Sequence, residues 1–552
     1  MAVKQHASWW QRLWPLGPYF VFMCISVLLL LPLLAPGFIL TLDMNFTPQI
    51  PFPTQVTSSY LFYAGLHIVN FVLPGDIIQK IILLTIFSLA GIGMYRLFAY
   101  VSGEKTPVYA PYVAGLLYMI NPFVYSRLMA GQFAVLLGYA CLPFFITSFL
   151  RLIQKPSLHN GALMTGWLTL IGILSIHTLA LAGVVVVVGS LLVSWEYRKR
   201  TIILRKIAIA VLGVIGASGV ASIYWIVPLL SGKNTTAQAI AGFGAADQAA
   251  FATAGDGIVG QFINIAGLQG FWADAVALYT LPQNVMTAWP FMTLGVWILV
   301  IYGCVVAWRS ANRTTILIFL LSALVAVGFA LSLAAPLLAY LPFAIGLREP
   351  HKFVGLVAVA YAIFTGYASI GVVDKLKKLY SQKLVGRIGV VAFMILPLAW
   401  TPTMLGGMYG QLQPSHYPDE WYKANELLNK DQADFKALFL PWHGYQYFDF
   451  AGRIVATPAD KFFDKPTLVS NELEFRQAAP TFPDETKAYI TKTLLPGAHR
   501  DRDLGEKLAK LDIKYVIVVR EETATYMMNQ PDLDLVYDTQ ALKLYKNKAF
   551  KG

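Results

Sequence analysis

Tyr19-Phe-Val-Phe-Met-Cys-Ile-Ser-Val-Leu-Leu-Leu-Leu-Pro-Leu-Leu34 is an almost unbroken apolar run, and Thr41-Leu-Asp-Met-Asn45 follows a few residues later. A run of that length reads as a membrane helix, because in hydrocarbon every backbone N–H and C=O must find its partner within the segment. Lys4 and Arg12 precede it, as in a signal sequence. The small-x-small cleavage pattern is weak, so the run is expected to stay as an uncleaved anchor. Asp43 then lies just past the outer end of this first span. A carboxylate held at a membrane surface is costly unless it is paired or used.

The same character continues along the chain. Of its 552 residues 57% are hydrophobic and 13% are charged, against roughly 25% charged in a soluble domain. Further apolar windows fall near 77–99, 108–126, 133–152, 160–177, 179–195, 205–230, 289–308, 314–335, 353–373 and 387–404. The loops between them alternate in charge. Arg96 and Lys105, Arg151 and Lys155, the run Arg198 to Lys206, Arg309 and Arg313, and Lys375 to Arg387 all fall on one side. That side is expected to be cytoplasmic, together with the N-terminus. Splitting 160–195 into two short spans keeps the bias consistent and places the C-terminal tail outside. The net charge of +12 is thereby explained by topology, and no nucleic-acid partner is implied. Cys24, Cys141 and Cys304 all fall in apolar segments, and no His/Cys spacing suits a metal.

The expected fold is a polytopic α-helical membrane protein of about eleven transmembrane helices over residues 1–404. Three outer loops, 38–76, 232–288 and 336–352, are long enough to build a site. Tyr60–Leu73 in the first is expected to lie at the interface as an amphipathic helix. From about residue 405 the composition becomes that of a soluble α+β domain running to 552. There Pro418–Lys430 and Leu504–Leu511 read as helices, Lys436–Leu440 and Tyr515–Val519 as buried strands, and Leu533–Tyr537 with Ala541–Tyr545 as a hairpin.

Several residues on the sparsely charged side could carry chemistry. Asp43 can take the proton of an acceptor hydroxyl, or simply cap the loop that follows. In Asn121-Pro-Phe-Val-Tyr-Ser-Arg-Leu-Met-Ala-Gly-Gln132 the Asn-Pro pair breaks a helix. Arg127 there can hold a phosphate bidentately or snorkel to headgroups. The turn Gly346-Leu-Arg-Glu-Pro-His-Lys-Phe353 crowds Arg348, Glu349, His351 and Lys352 where positive charge is disfavoured. An anionic lipid phosphate would explain them, as would a local Arg348–Glu349 pair. His177 can donate to a phosphate or sugar, or be a hydrogen-bonded turn residue. There is no Walker loop, and Gly242-Phe-Gly244 lacks the third glycine of a dinucleotide fingerprint.

In this order the motifs resemble those of the GT-C superfamily of integral-membrane glycosyltransferases, within the branch of YfhO-like and mycobacterial arabinofuranosyltransferase-like proteins. The resemblance rests on Leu42-Asp43, on Asn121-Pro with Gly131-Gln132, on Arg348-Glu-Pro-His-Lys-Phe353, and on Leu511-Asp-Ile-Lys-Tyr-Val-Ile-Val518 in the tail. It implies a polyprenyl-phosphate-linked sugar as donor, a glycan, lipid or protein acceptor, and a site on the outer face of a prokaryotic plasma membrane. It implies Asp43 as base and Arg348 and Lys352 as phosphate holders, with Arg127 and His351 as weaker additions. Glu349, His177, Gln132 and Asn121 are further candidates for substrate binding. Many members carry a second acid beside the first, whereas here Leu42 and Met44 flank Asp43. A divalent metal is compatible with the chemistry but has no evident ligand cluster. Two other functions would use the same outer surface: a lipid-linked-glycan flippase, which has no need of Asp43, and a non-catalytic cell-envelope assembly protein.

Overall fold

A computed structural model describes residues 16–232, 237, 245–333, 346, 349–380, 383–470, 484–498, 502–519 and 530–551. The apolar windows are helical: α1 (Gly17–Leu30), α3 (Gly75–Ser102), α4 (Tyr109–Met119), α6 (Phe133–Gln154), α7 (Leu158–Leu174), α8 (Ile176–Glu196) and α9 (Thr201–Ala221). The series continues after α10 (Ile223–Leu230) and α11 (Gly257–Ala266) with α12 (Trp289–Ser310), α13 (Arg313–Ala330), α14 (Val354–Tyr380) and α15 (Lys383–Trp400). Two shorter helices, α2 (Tyr60–Asn70) and α5 (Pro122–Met129), lie between the long ones.

Among the described residues, seven helices are long and apolar enough to cross a membrane, and α15 with the bent segment after it makes an eighth if counted as one span. The other three of the eleven expected windows are helical but shorter, α1 with the turn that ends it, α4 and α7. Pro32 ends α1 in a 3-10 turn, and the Asn121-Pro122 break divides the 108–126 window. The expected split near 177 is present. Ser175 is extended, ends α7, and accepts from Thr178 N to cap α8.

Burial separates an inner layer from an outer one. The apolar window of α6 is 89% buried and those of α9 and α12 only 22%, so α6 lies inside the bundle. It packs on α3, which in turn contacts α1 and α4. Phe22 of α1 fits against α3 and α4 because Gly91 and Gly115 face it, where a Cβ would stand 2.3 and 2.4 Å from the ring. α2 is helical as its pattern predicts, with no fully buried residue and with Ile68 and Val69 exposed.

The C-terminal part carries a five-stranded sheet of order β6-β3-β7-β9-β8. β3 (Lys436–Leu440) runs parallel to both β6 (Thr467–Leu468) and β7 (Ile513–Val518). The hairpin β8 (Leu533–Asp538) and β9 (Lys543–Asn547) extends the sheet antiparallel to β7. β3 and β7 are buried on both faces, which is why they read as continuous apolar runs. α16 (Asp419–Lys430) packs Trp421 among Phe439, Phe462 and Phe463, and Phe462 closes the short helix α17 (Ala459–Phe462).

Two small pairings join this part to the bundle. β1 (Phe38–Ile39) pairs antiparallel with β2 (Pro414–Ser415). A separate hairpin, β4 (Tyr445–Phe448) with β5 (Arg453–Ala456), meets the chain at Leu42, which bridges Val455. The loop that bears Asp43 is therefore built into both halves of the molecule.

Candidate active site

Asp43 N donates to Ala130 O (3.1 Å) and Thr41 Oγ1 donates to Met129 O (2.7 Å), which fixes the loop to the end of α5. From the other side, Leu42 N donates to Ile454 O (3.1 Å) and Ala456 N donates to Leu42 O (2.8 Å). Leu42 sits at φ 36°, a left-handed conformation that costs energy for a branched residue. It persists because both of its backbone groups are bonded. Gly131, at φ 72°, is required for the close approach: a Cβ there would stand 2.3 Å from Met44 N and 2.4 Å from Thr41 O.

The Asp43 carboxylate accepts from the Tyr445 hydroxyl at Oδ1 (2.5 Å) and from Gln132 Nε2 at Oδ2 (3.4 Å). Water reaches one face of the residue, while protein surrounds the other sides of the carboxyl. That burial pushes its pKa up, against the lowering effect of Tyr445; Glu349 adds to the rise, and Lys352 and Gln132 oppose it.

Behind Asp43 lies a closed charge cluster. The α5 helix begins at Asn121, whose Oδ1 caps Val124 N and whose Nδ2 donates to Leu117 O and Tyr118 O. This start aims Arg127, fully buried, at the 349–352 turn. Its Nη1 donates to Gln132 Oε1 (2.7 Å) and Glu349 Oε2 (3.1 Å), and its Nη2 donates to His351 Nδ1 (2.8 Å). The guanidinium lies 4.1 Å from the Phe271 ring centre. Because arginine can only donate, His351 Nδ1 accepts, and its Nε2–H therefore donates to Gln269 O (2.8 Å). Lys352 Nζ pairs with Glu349 Oε1 (3.1 Å) and donates to His177 Nε2 (3.3 Å). Burial alone would raise the Glu349 carboxyl, but Lys352 and Arg127 hold it well below the usual carboxylate range.

In front of Asp43 opens a cavity of ≈460 Å³. Phe52, Tyr63 and Phe133 give it an apolar wall, and Asn45, Asp460 and Lys461 line it with polar groups. Burial and the Asp43 charge push the Tyr63 phenol up to about 12, so it remains a neutral hydroxyl.

Of the residues singled out from sequence, Asp43, Gln132, Arg127, Glu349, His351, Lys352 and His177 thus converge in space. Asn121 instead spends its amide on the α5 cap and the preceding turn. Arg348 lies outside the described residues. Tyr445, Asp460 and Lys461 come from the C-terminal part, and sequence reasoning passed them over. Their only local mark is that each closes a short stretch leading into an element, Pro441-Trp-His-Gly-Tyr445 into β4 and Thr457-Pro-Ala-Asp-Lys461 into α17. No spacing rule connects either turn with Asp43. Among the described residues no group of three or more His, Cys, Asp or Glu side chains is arranged to hold a metal.

No family model matches the chain, and no curated protein matches it. The solved structures do. The cryo-EM structure of arabinofuranosyltransferase AftD from mycobacteria superposes with a TM-score of 0.63 at 14% identity, over 96% of this chain and 40% of that one. Two structures of a variant of the same enzyme give TM-scores of 0.61 and 0.55 at 15% and 16% identity, each over 96% of this chain and 41% of theirs. The chain thus spans about two fifths of the length of the structures it matches. By fold it is similar to this mycobacterial arabinofuranosyltransferase, and it has the polytopic helical architecture with a C-terminal α+β part that its sequence led us to expect.

Proposed function

We propose that the protein is a membrane glycosyltransferase that moves a sugar from a polyprenyl-phosphate donor to a glycan, lipid or protein acceptor of the cell envelope, with Asp43 as general base. One observation carries this reading. The Asp43 carboxylate, in a strained loop fixed from both halves of the molecule, opens into a cavity between the membrane helices and the C-terminal domain. The fold likeness to an arabinofuranosyltransferase supports the same class of reaction.

The acceptor hydroxyl oxygen attacks the anomeric carbon as the bond from that carbon to the phosphate oxygen breaks. The electron pair leaves with the phosphate, and the hydroxyl proton passes to Asp43. Attack opposite the phosphate inverts the anomeric centre. A carboxylate with a raised pKa is a stronger base than a solvated aspartate, and Tyr445 fixes which of its oxygens is committed. In this reading residues 1–404 bind the donor, and residues 405–552 cover the site on the face away from the positively charged loops, outside the plasma membrane. Lys352, with Arg348 in the same turn, is the proposed holder of the donor phosphate. Arg127, His351 and Glu349 keep that turn in place.

The test is transfer in proteoliposomes from a panel of polyprenyl-phosphate sugars, comparing wild type with Asp43→Asn. The variant should fold, keep donor binding, and lose about 10²–10⁴-fold in rate. Wild-type turnover by a folded Asp43→Asn protein removes Asp43 as base.

A further inference from the structure

The cavity in front of Asp43 and the cluster behind it differ in what their charges lack. Arg127 and Lys352 each have the Glu349 carboxylate at 3.1 Å. In the cavity, Asp460 and Lys461 make no ion pair within 4.0 Å among the described residues, and Lys461 Nζ donates to the neutral Asn45 amide oxygen (2.6 Å). With Asp43, the cavity holds two acids and one cation. The lining offers an anion no excess of positive charge; Lys352 acts on Asp43 and Lys487 on Asp460 from outside it. A neutral molecule rich in hydroxyls meets acceptors at the carboxylates, a donor at the ammonium and an aromatic face at Phe52, which is half exposed.

We infer that this cavity is the subsite for a neutral sugar unit of the acceptor, held by Asp460 and Lys461 against the Phe52 ring with its reacting hydroxyl directed at Asp43. Hydrogen bonds from sugar hydroxyls to an ionised carboxylate are stronger than those between neutral groups, and an apolar ring covers the C–H face of a sugar. The support for Lys461 is stiff: α17 carries it, and the next residues, Phe462 and Phe463, are packed on Trp421. Cluster residues Gln132, Glu349 and Lys352 do not line the cavity. The residues proposed here for the acceptor are therefore separate from those proposed for the donor phosphate. The inference rests on the transferase reading for the word acceptor, and on the cavity alone for the word neutral.

The experiment is saturation-transfer NMR on the full chain in nanodiscs, with methyl glycosides of arabinofuranose, galactofuranose, mannose and glucose, and with inorganic phosphate and glucose 1-phosphate as anionic probes. At least one neutral glycoside should bind, competing with neither anion. Asp460→Asn and Phe52→Leu should each weaken it by about ten-fold or more, with thermal stability in detergent unchanged. Anions binding the cavity more tightly than the glycosides, or glycoside binding indifferent to both substitutions, overturns the inference. If the glycosides bind as expected but Asp43→Asn still transfers sugar, the subsite stands and the assignment of the base falls. If Asp43→Asn is inactive and neither substitution raises the acceptor KM, the base stands and the subsite falls.

Discussion

The site has a closed half and an open half, and they teach opposite lessons about buried charge. In the closed half Arg127 and Lys352 both pair with Glu349 inside protein, and each also donates to a histidine, Arg127 to His351 and Lys352 to His177. In the open half Asp43, Asp460 and Lys461 stand around a cavity without ion pairs among the described residues. Charge in the first half is paired within the protein, Lys352 included. Charge in the second is left for a ligand. The link between them is Gln132, whose amide oxygen is held by Arg127 and whose amide nitrogen stands 3.4 Å from both Asp43 and Glu349.

The largest expected effect comes from breaking the closed half. Glu349→Gln leaves two buried cations without their counter-charge, and removing one partner of a buried pair costs about 3–5 kcal/mol. We expect a marked fall in melting temperature in detergent and poor recovery from membranes. Asp460→Asn in the open half should leave melting unchanged. Equal stability of the two variants would erase the distinction between the halves. Glu349→Asp, which keeps the charge, should recover most of the loss.

Next in size is the contact that ties Asp43 to the C-terminal domain. Tyr445→Phe removes a hydrogen bond to a carboxylate, worth about 1.5–3 kcal/mol, and should lower the transfer rate roughly ten-fold or more. The sign of its pH effect is fixed. The base must be ionised, burial already raises the Asp43 pKa, and Tyr445 opposes that rise. The acid limb of the rate profile should therefore lie above the ordinary aspartate range in wild type and move further up in Tyr445→Phe. An unmoved limb together with a slower rate would make Tyr445 a substrate contact instead of a partner of Asp43.

How much of this was legible in the sequence follows from distance along the chain. The long helices were, because a run such as that of α6 has only one way to satisfy its backbone in hydrocarbon. The strands β3 and β7 were too, as apolar runs buried on both faces. The closed half was legible in part. Asn121-Pro marks a break, and an excess of cations in a short turn asks for a partner. That Glu349 also pairs with Arg127 was hidden, because the two lie 222 positions apart. Of the open half only Asp43 was legible, as a lone acid just past the first apolar run. Tyr445 and Asp43 are separated by 402 positions, and the β4–β5 hairpin that joins them has the pattern of any small surface hairpin.

Gly131 gives a local version of the same comparison, since it is the residue over which the Asp43 loop and the end of α5 touch. Gly131→Ala puts a methyl where Met44 N and Thr41 O already stand and asks alanine to hold φ 72°. Left-handed backbone costs a non-glycine residue roughly 1–2 kcal/mol, and the overlap adds to it. The loop can relieve the clash only by moving away from Ala130, because its other side is bonded to β5. Asp43 would then shift relative to Gln132 while keeping Tyr445. The expected result is a transfer rate lowered with little change in neutral-sugar binding, since the cavity wall carrying Asp460 and Lys461 belongs to the side that does not move. Loss of glycoside binding in step with the rate would mean that the open half depends on the closed half for its shape.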